Sequence, residues 1–92
     1  MSGRFIVLEG IDGSGKGTQL ALLAERLTNA GHSVWLTREP TDGAIGRLIR
    51  EGLGDAARFD EATIALLFAA DRLAHIAEIR QHLAAGEIVL CD

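Results

Sequence analysis

The 92-residue chain is long enough for one domain at most, near the lower end of the sizes at which a single hydrophobic core forms. Hydrophobic residues make up 48% of it and charged residues 24%, which is typical of a globular protein and excludes a disordered one. The formal net charge of -4 indicates no electrostatic attraction to nucleic acids or anionic membranes. An anionic ligand would have to be bound by a few placed cations and backbone amides.

Cys91 is the only cysteine, so no disulfide can form within the chain, and we expect a reducing, cytoplasmic setting. It follows three apolar residues and is expected to be a buried strand residue rather than a reactive thiol. The N-terminus lacks the pattern of a signal peptide, and no segment approaches the roughly 18 apolar residues of a membrane span. We therefore expect an intracellular, soluble protein with neither a membrane nor a nucleic-acid partner.

The first half of the chain reads as a strand, a helix and a second strand. The continuous apolar run in "RFIVLEG" predicts a strand that is buried on both faces. The segment "KGTQLALLAERLTNAG" predicts a helix that ends at Gly31 and carries one apolar stripe, formed by Leu20, Leu23, Ala24 and Leu27. The segment "SVWLTREP" predicts a second buried strand, which Pro40 stops because proline cannot continue a ladder.

The second half reads as two helices and a third strand. In "TDGAIGRLIREGLGD" a turn or cap at residues 41–43 precedes a short helix. The segment "DEATIALLFAADRLAHIAEIRQHLAAG" predicts the longest helix, which ends at Gly86. One face of that helix is predicted to be apolar and carries Ile64, Leu67, Phe68, Ile76, Ile79 and Leu83. The run "EIVLCD" predicts the third strand.

This order of elements predicts an α/β fold. Helices between strands make right-handed crossovers, so the strands should be parallel, within a three-layer α/β/α architecture. The sequence stops at the carboxyl end of the third strand, before any returning helix. We expect residues 1–92 to be the N-terminal part of a single larger domain, incomplete at the C-terminus.

Between the first strand and the first helix, "GIDGSGKG" fits the phosphate-binding P-loop pattern G-x-x-x-x-G-K. Gly10 and Gly15 can adopt positive φ and let backbone amides converge on an anion, while Lys16 supplies a mobile cation. In the strand–loop–helix context this predicts a P-loop NTPase fold that binds ATP, rather than a glycine turn that only caps a helix. The residues predicted to hold ATP are Gly10, Ile11, Asp12, Gly13, Ser14, Gly15, Lys16, Gly17 and Thr18.

Gly17 stands where most P-loop enzymes have a hydroxyl residue that binds Mg²⁺ directly. The run "GKGTQ" resembles the loop of adenylate kinases, in which Thr18 would contact a phosphate and the metal would be held mainly by ATP and water. Asp92 follows an apolar strand, as a Walker-B acid does, and is predicted to hold Mg²⁺ through water. ATP binding is therefore expected, with magnesium held indirectly.

Three further residues suit recognition of a nucleotide. Arg38 lies at the carboxyl end of the second strand, where an arginine can bind a phosphate bidentately, although a solvated surface arginine is the alternative. Phe68 and Arg72 are four residues apart on one helix face. If Phe68 were a core residue, Arg72 would point into the core, at a high cost unless a partner accepts its donors. An aromatic ring and an arginine together can stack on a base and bind its edge.

The segments "FIVLEGIDGSGKGTQ", "TREP", "LLFAADR" and "VLCD" resemble, in order and spacing, the thymidylate kinases, which are P-loop nucleoside monophosphate kinases. The resemblance extends over the whole chain, and "TREP" and "FAADR" speak against adenylate or shikimate kinases. It implies ATP-dependent phosphorylation of dTMP to dTDP by an enzyme that is usually a homodimer. A P-loop ATPase or switch without transferase activity, and a non-catalytic fragment, remain as alternatives.

The resemblance also implies roles for individual residues. Lys16 and the loop from Gly10 to Thr18 would hold the ATP phosphates, and Asp12 would meet the deoxyribose 3′-hydroxyl and the acceptor site. Arg38 would orient the acceptor phosphate, so that Lys16, Arg38 and Asp12 are the expected catalytic residues. Phe68 would stack on thymine, and Arg72 would hydrogen-bond its edge.

The remaining titratable residues carry little functional signal. His75 and His82 lie seven residues apart on the long helix, and no third ligand accompanies them, so no metal site is predicted there. The acidic residues between the two helices are expected to form a solvated connection: Glu51, Asp55, Asp60 and Glu61.

Overall fold

The computed structural model of the chain describes residues 3–9, 15–55 and 58–92. The order of elements agrees with the prediction: β1 (Arg4–Val7), α1 (Lys16–Asn29), β2 (Val34–Thr37), α2 (Ala44–Gly54), α3 (Glu61–Ala84) and β3 (Ile88–Cys91). The chain divides into two compact units. The first comprises Met1–Thr37 and Ile79–Asp92, and the second comprises Arg38–Glu78.

The first unit contains a three-stranded sheet in the order β1-β3-β2. Both pairings are parallel, and Phe5 of β1 and Trp35 of β2 are both aligned with Val89 of β3. All four residues of β3 are buried, including Cys91, as expected of a central strand. The parallel sheet and the buried position of Cys91 are thus confirmed.

Helix α1 contributes its predicted apolar stripe to the core of this unit. Leu20, Ile88 and Leu90 form the buried cluster. The half-buried residues packed against it are Leu8, Leu23, Ala24, Leu27 and Val34. This contact explains the repeat of apolar residues at three- and four-residue steps, because those positions lie on one side of a helix.

The C-terminus of α1 is closed by Gly31, as predicted. Gly31 has a φ of 95°, which a residue with a Cβ rarely adopts. Its amide donates to the carbonyl of Thr28, and the amide of His32 donates to the carbonyl of Leu27, each at 3.0 Å. This is the Schellman arrangement, which satisfies the last carbonyl groups of the helix.

The residues of this chain alone do not bury β1 on both faces. Phe5, Ile6 and Val7 remain 48%, 38% and 47% exposed. Among the described residues β1 pairs only with β3, so these residues leave its other side and much of its side-chain surface uncovered. The apolar run of β1 resembles that of β3, so composition alone does not indicate that the two strands differ in exposure within this chain.

In the second unit, α2 packs closely against the segment that precedes it, at Gly46, and against the segment that follows it, at Gly52. Ile49 is fully buried, and the glycines Gly46 and Gly52 are buried on the same helix. A Cβ at Gly52 would lie 2.5 Å from a ring carbon of Phe59 and 2.9 Å from Cδ1 of Ile64. Glycine at this position therefore permits a contact that alanine would obstruct.

The acidic connection between α2 and α3 is exposed, as predicted. Two of its carboxylates nevertheless have defined partners. Glu51 pairs with Arg58 at 2.9 Å. Asp60 precedes α3 and accepts a hydrogen bond from the amide of Thr63 at 2.7 Å. Hydrogen bonds from the side chain of Thr63 and, second, from its amide lower the pKa of Asp60. Asp60 therefore acts as the N-cap of α3.

Candidate nucleotide-binding site

The end of the phosphate loop has the backbone geometry that its sequence predicts. Gly15 has a φ of 85°, in the left-handed region, and α1 begins at the next residue. The first backbone hydrogen bond runs from the amide of Gln19 to the carbonyl of Gly15 at 3.0 Å. No acidic residue lies in the first turn of α1. A helix N-terminus of this kind attracts anions through its amides and its dipole.

Lys16 lies beside the carboxylate that follows β3. Its Nζ is 2.8 Å from Oδ1 of Asp92, and the two side chains are 19% and 34% exposed. The amide of Asp92 donates to the carbonyl of Thr37 at 3.1 Å, which fixes Asp92 at the carboxyl end of the sheet. A cation at a helix N-terminus and an adjacent carboxylate are the charges that a polyphosphate and a divalent cation require.

The structure describes the predicted phosphate loop from Gly15 onward. Gly10, Ile11, Asp12, Gly13 and Ser14 lie outside the described residues. Gly17 and Thr18 belong to the first turn of α1. The expectations for Asp12, including its contact with an acceptor, therefore stay predictions.

Arg38, the predicted phosphate-binding arginine, follows the last residue of β2 and already binds a carboxylate. Its Nη2 donates to Oδ1 of Asp42 at 2.9 Å, and both side chains are exposed. Nη1 of Arg50 lies 3.7 Å from the same oxygen. The hydrogen bond and charge of Arg38, with a smaller effect of Arg50, lower the pKa of Asp42. The guanidinium group of Arg38 is thus in a position to bind an exposed anion.

Phe68 and Arg72 lie on α3, and neither belongs to the core. Phe68 is 38% exposed and the side chain of Arg72 is 70% exposed. Phe68 shares a side of the helix with Ile64 and His75 but remains partly exposed there, and Arg72 does not point into the core. The turn of α3 that carries them instead buries Asp71, which occupies the inward-facing position. The pair is accessible to a ligand.

Glu39 connects the segment after β2 to α3. Its Oε1 accepts hydrogen bonds from Nε and Nη2 of Arg72 at 3.1 and 2.9 Å. Its Oε2 lies 2.8 Å from Nδ1 of His75, whose side chain is 1% exposed. Burial raises the pKa of Glu39, but the hydrogen bonds and charges of His75 and Arg72 outweigh it and hold that pKa below 4.5. Glu39 is therefore favoured as a carboxylate.

A second buried carboxylate fixes the same segment. Asp71 is 2% exposed and accepts two hydrogen bonds from Thr41, from the backbone amide at 2.9 Å and from Oγ1 at 2.6 Å. Arg50 donates to the carbonyl of Thr41 at 2.8 Å and also to that of Pro40. Gly46 lies directly against the backbone of Thr41, where a Cβ would collide with it. Residues of α2 and α3 thus determine the position of residues 39–42.

Comparison with known proteins agrees with these observations. The thymidylate kinase family model matches residues 8–92. The chain belongs to the thymidylate kinase family. A probable thymidylate kinase of Pyrococcus horikoshii is 50% identical over 98 residues, covering 100% of this chain and 48% of the relative. A thymidylate kinase of Exiguobacterium sibiricum is 53% identical over 95 residues, covering 100% of this chain and 45% of the relative.

Solved structures of thymidylate kinases have the same fold. The enzyme of Ehrlichia chaffeensis superimposes with a TM-score of 0.86 at 40% identity, covering 100% of this chain and 54% of the other. The enzyme of Candida albicans superimposes with a TM-score of 0.85 at 31% identity, covering 99% of this chain and 40% of the other. The predicted P-loop α/β fold is therefore confirmed. The chain spans about half the length of the relatives it matches.

The polar network around Glu39 and Asp71 was not predicted. The signal for it is present in α3, where the inward-facing positions run from Ile64 and Leu67 through Asp71 and His75 to Ile79. Two polar residues therefore interrupt an apolar stripe at helical spacing. Buried polar groups need partners, so the interruption predicts a buried network at this point of the helix.

His82 also has a structural partner. Its ring stacks on Trp35 with the centroids 3.8 Å apart, and its Nδ1 lies 2.6 Å from Oε1 of Glu87. Within the described ranges, no group of three or more His, Cys, Asp or Glu side chains is arranged to hold a metal ion. A single carboxylate such as Asp92 still fits Mg²⁺, because that ion usually takes one or two protein carboxylates, substrate phosphates and water. No helix in the described part of the chain is both long and apolar enough to cross a membrane.

Proposed function

We propose that the chain is the N-terminal part of the kinase domain of a dTMP kinase, which transfers the γ-phosphoryl group of ATP to dTMP and forms dTDP and ADP. The observation that carries this proposal is the 2.8 Å ion pair between Lys16 and Asp92 at the N-terminus of α1, in a member of the thymidylate kinase family. The pair combines the two charges that phosphoryl transfer from a metal–nucleotide complex requires. Because the chain spans about half of its relatives, the activity is assigned to the full-length protein.

On the ATP side, Lys16 neutralises charge on the β- and γ-phosphates, and the amides of residues 10–18 surround them. Gly17 offers no hydroxyl, so Thr18 contacts a phosphate and Asp92 holds the metal through water. Bound Mg²⁺ would supply further neutralisation of the phosphate oxygens as charge spreads in the transition state. The proximity of Lys16 and Asp92 supports this division of roles, because each keeps the other close to the helix N-terminus.

On the dTMP side, Arg38 binds the acceptor phosphate and Asp12 meets the 3′-hydroxyl of the deoxyribose. Phe68 stacks on thymine and Arg72 hydrogen-bonds its edge. The exposure of Phe68 and Arg72 supports these roles, since a core pair could not reach a nucleotide. The ability of Arg38 to bind the carboxylate of Asp42 supports its role with an anion.

In the transfer step, a phosphate oxygen of dTMP attacks the γ-phosphorus of ATP in line with the departing ADP oxygen. The P–O bond to ADP breaks as the new P–O bond forms, so no covalent intermediate with the protein is needed. The protein contributes position and charge: Lys16 on the donor side and Arg38 on the acceptor side limit the motion of the phosphates and stabilise their charge.

The assignment is tested by assaying the full-length protein with ATP and a panel of acceptors: dTMP, UMP, AMP and shikimate. We expect ADP release with dTMP at a kcat/KM at least tenfold above that of any other acceptor. Activity with AMP or shikimate and none with dTMP would overturn the assignment. The Arg72→Ala variant then distinguishes a dTMP kinase from an ATPase switch. In a dTMP kinase it should weaken dTMP binding and leave ATP binding unchanged.

We also propose that the full-length protein is a cytoplasmic homodimer with nucleotides as its ligands. A dimer is usual in the family that the sequence resembles, and the one cysteine of the chain, Cys91, is buried and forms no disulfide within the chain, which is compatible with a reducing compartment. Light scattering coupled to size-exclusion chromatography measures the mass of the assembly. A monomeric mass at assay concentration would contradict the dimer and leave the kinase assignment intact.

A further inference from the structure

Glu39 is the carboxylate that holds the exposed Arg72. The two oxygens of Glu39 have different partners, because Oε1 accepts Nε and Nη2 of Arg72 while Oε2 lies 2.8 Å from Nδ1 of His75. The side chain of Glu39 is only 22% exposed, and that of His75 is 1% exposed. His75 therefore fixes the plane of a carboxylate that in turn fixes the plane of a guanidinium group.

Packing does not determine the orientation of Arg72. Its side chain is 70% exposed, and a long exposed side chain has many rotamers that must be given up when it binds a ligand. A carboxylate on the Nε edge of a guanidinium group selects one plane and one direction for the group. Arg72 is thus oriented before any ligand arrives, which reduces the entropy lost on binding.

We propose that Glu39 is a positioning residue for recognition of the nucleobase: it orients Arg72, and His75 holds Glu39 in place. The inference rests on the proposed function, in which Arg72 hydrogen-bonds the edge of thymine. Glu39 itself does not contact the base. Any effect of Glu39 on dTMP binding should therefore depend on the presence of Arg72.

Removal of Glu39 leaves its segment of backbone anchored. Thr41 keeps two hydrogen bonds to Asp71, and Arg50 keeps its bonds to the carbonyls of Pro40 and Thr41. A loss of function in a Glu39 variant can therefore be separated from a loss of the local fold. Loss of the orientation of Arg72 should raise the KM for dTMP alone, whereas loss of the local fold should raise the KM values for both dTMP and ATP.

The test is a double-mutant cycle in the full-length protein with Glu39→Ala, Arg72→Ala and the double variant. We expect Glu39→Ala to raise the KM for dTMP about fivefold, as for the loss of one well-placed ion pair, with the KM for ATP unchanged. In the Arg72→Ala background the same change should have no further effect. Glu51→Ala, which removes another carboxylate–arginine pair of the same unit, is the matched control and should leave both KM values unchanged.

Additive effects of the two substitutions, an unchanged KM for dTMP in Glu39→Ala, or equal increases in both KM values would each overturn the inference. Failure of the proposed function would give different results from failure of this inference. The wild-type protein would lack dTMP kinase activity, or Arg72→Ala would leave the KM for dTMP unchanged. Should Glu39→Ala not fold, Glu39→Gln is used in the same cycle. The amide oxygen of Gln still accepts a hydrogen bond from Arg72, so we expect a smaller increase of about twofold that also disappears with Arg72→Ala.

Discussion

Lys16 Nζ lies 2.8 Å from Oδ1 of Asp92, so the first residue of α1 and the residue that follows β3 form an ion pair. Their elements explain the contact. Helix α1 directly follows the phosphate loop, while β3 is the central strand of the parallel sheet and ends at the same edge. Ligand sites of open α/β sheets lie at that edge, outside the carboxyl ends of the strands.

In the full-length protein, replacing Lys16 with methionine should reduce kcat/KM by about 100-fold or more, because the proposed function requires this cation where phosphate charge develops. Steady-state assays with ATP and dTMP measure the change. Arg26→Met removes the same charge from the other end of α1 and should leave kcat/KM within about twofold of the wild type. Equal losses in the two variants would show that net charge, rather than the position of Lys16, is responsible.

Replacing Asp92 with asparagine should raise the Mg²⁺ concentration needed for half-maximal activity. Asparagine keeps the shape of the side chain but removes the negative charge that attracts a divalent cation. Magnesium titrations at saturating ATP and dTMP measure this concentration, and the activity of the variant should recover in part at high Mg²⁺. An unchanged magnesium requirement with reduced activity would instead assign Asp92 to positioning Lys16 alone.

Gly46→Ala should destabilise the protein, because the new Cβ would collide with the backbone of Thr41. Overpacking of this kind typically costs about 1–3 kcal/mol. Gly54→Ala is the control on the same helix, since apart from its chain neighbours and the backbone of its own helix no described atom lies within 4 Å of a Cβ there. Thermal unfolding should show a lower Tm for Gly46→Ala and an unchanged or higher Tm for Gly54→Ala. The reverse order of Tm values would contradict the close approach at Gly46.

The structural features that depend on a few neighbouring residues could be predicted from the sequence. The positive φ of Gly15 and Gly31, the stripe of α1 and the buried strand β3 all follow from residue type and spacing over a few positions. Glycine is the residue that adopts positive φ without strain, and a periodic stripe can be buried on one side only. These features can be predicted from the sequence because they do not depend on residues that are distant in the chain.

The rest of the candidate site depends on residues far apart in the chain. Thr41 binds Asp71 across 30 residues, and Glu39 binds His75 across 36. Periodicity places Asp71 and His75 on α3 but cannot identify their partners, which only the tertiary fold brings close. The same limit applies to β1, whose apolar residues do not indicate which strands it pairs with.

Asp71→Ala should destabilise the protein by about 2–3 kcal/mol, because the amide and the hydroxyl of Thr41 would lose their acceptor in a largely buried place. Asp71→Asn should cost less, about 1 kcal/mol, since its amide can accept from one group and donate to the other. Urea unfolding followed by circular dichroism measures both free energies of unfolding. Asp42→Ala removes an exposed carboxylate from the same segment and should change the stability little. Equal effects of alanine at positions 71 and 42 would contradict the role of Asp71 as an anchor.

The stability contributed by Glu39 should disappear in acid. Arg72 and His75 are the charged and titratable groups that face its carboxylate, and the pKa of Glu39 in the folded protein lies below the ordinary value of 4.5. A carboxylate with a lowered pKa stabilises the folded state fully above its unfolded pKa, and this stabilisation is lost as the pH falls through the folded value. The wild type should therefore exceed Glu39→Gln in free energy of unfolding by a constant amount from about pH 7 to pH 5, and the difference should shrink below about pH 4.5. Urea unfolding of both proteins at intervals of half a pH unit measures the difference. A difference that persists unchanged at about pH 3, or that increases in acid, would show that the charge of Glu39 is not what its partners stabilise.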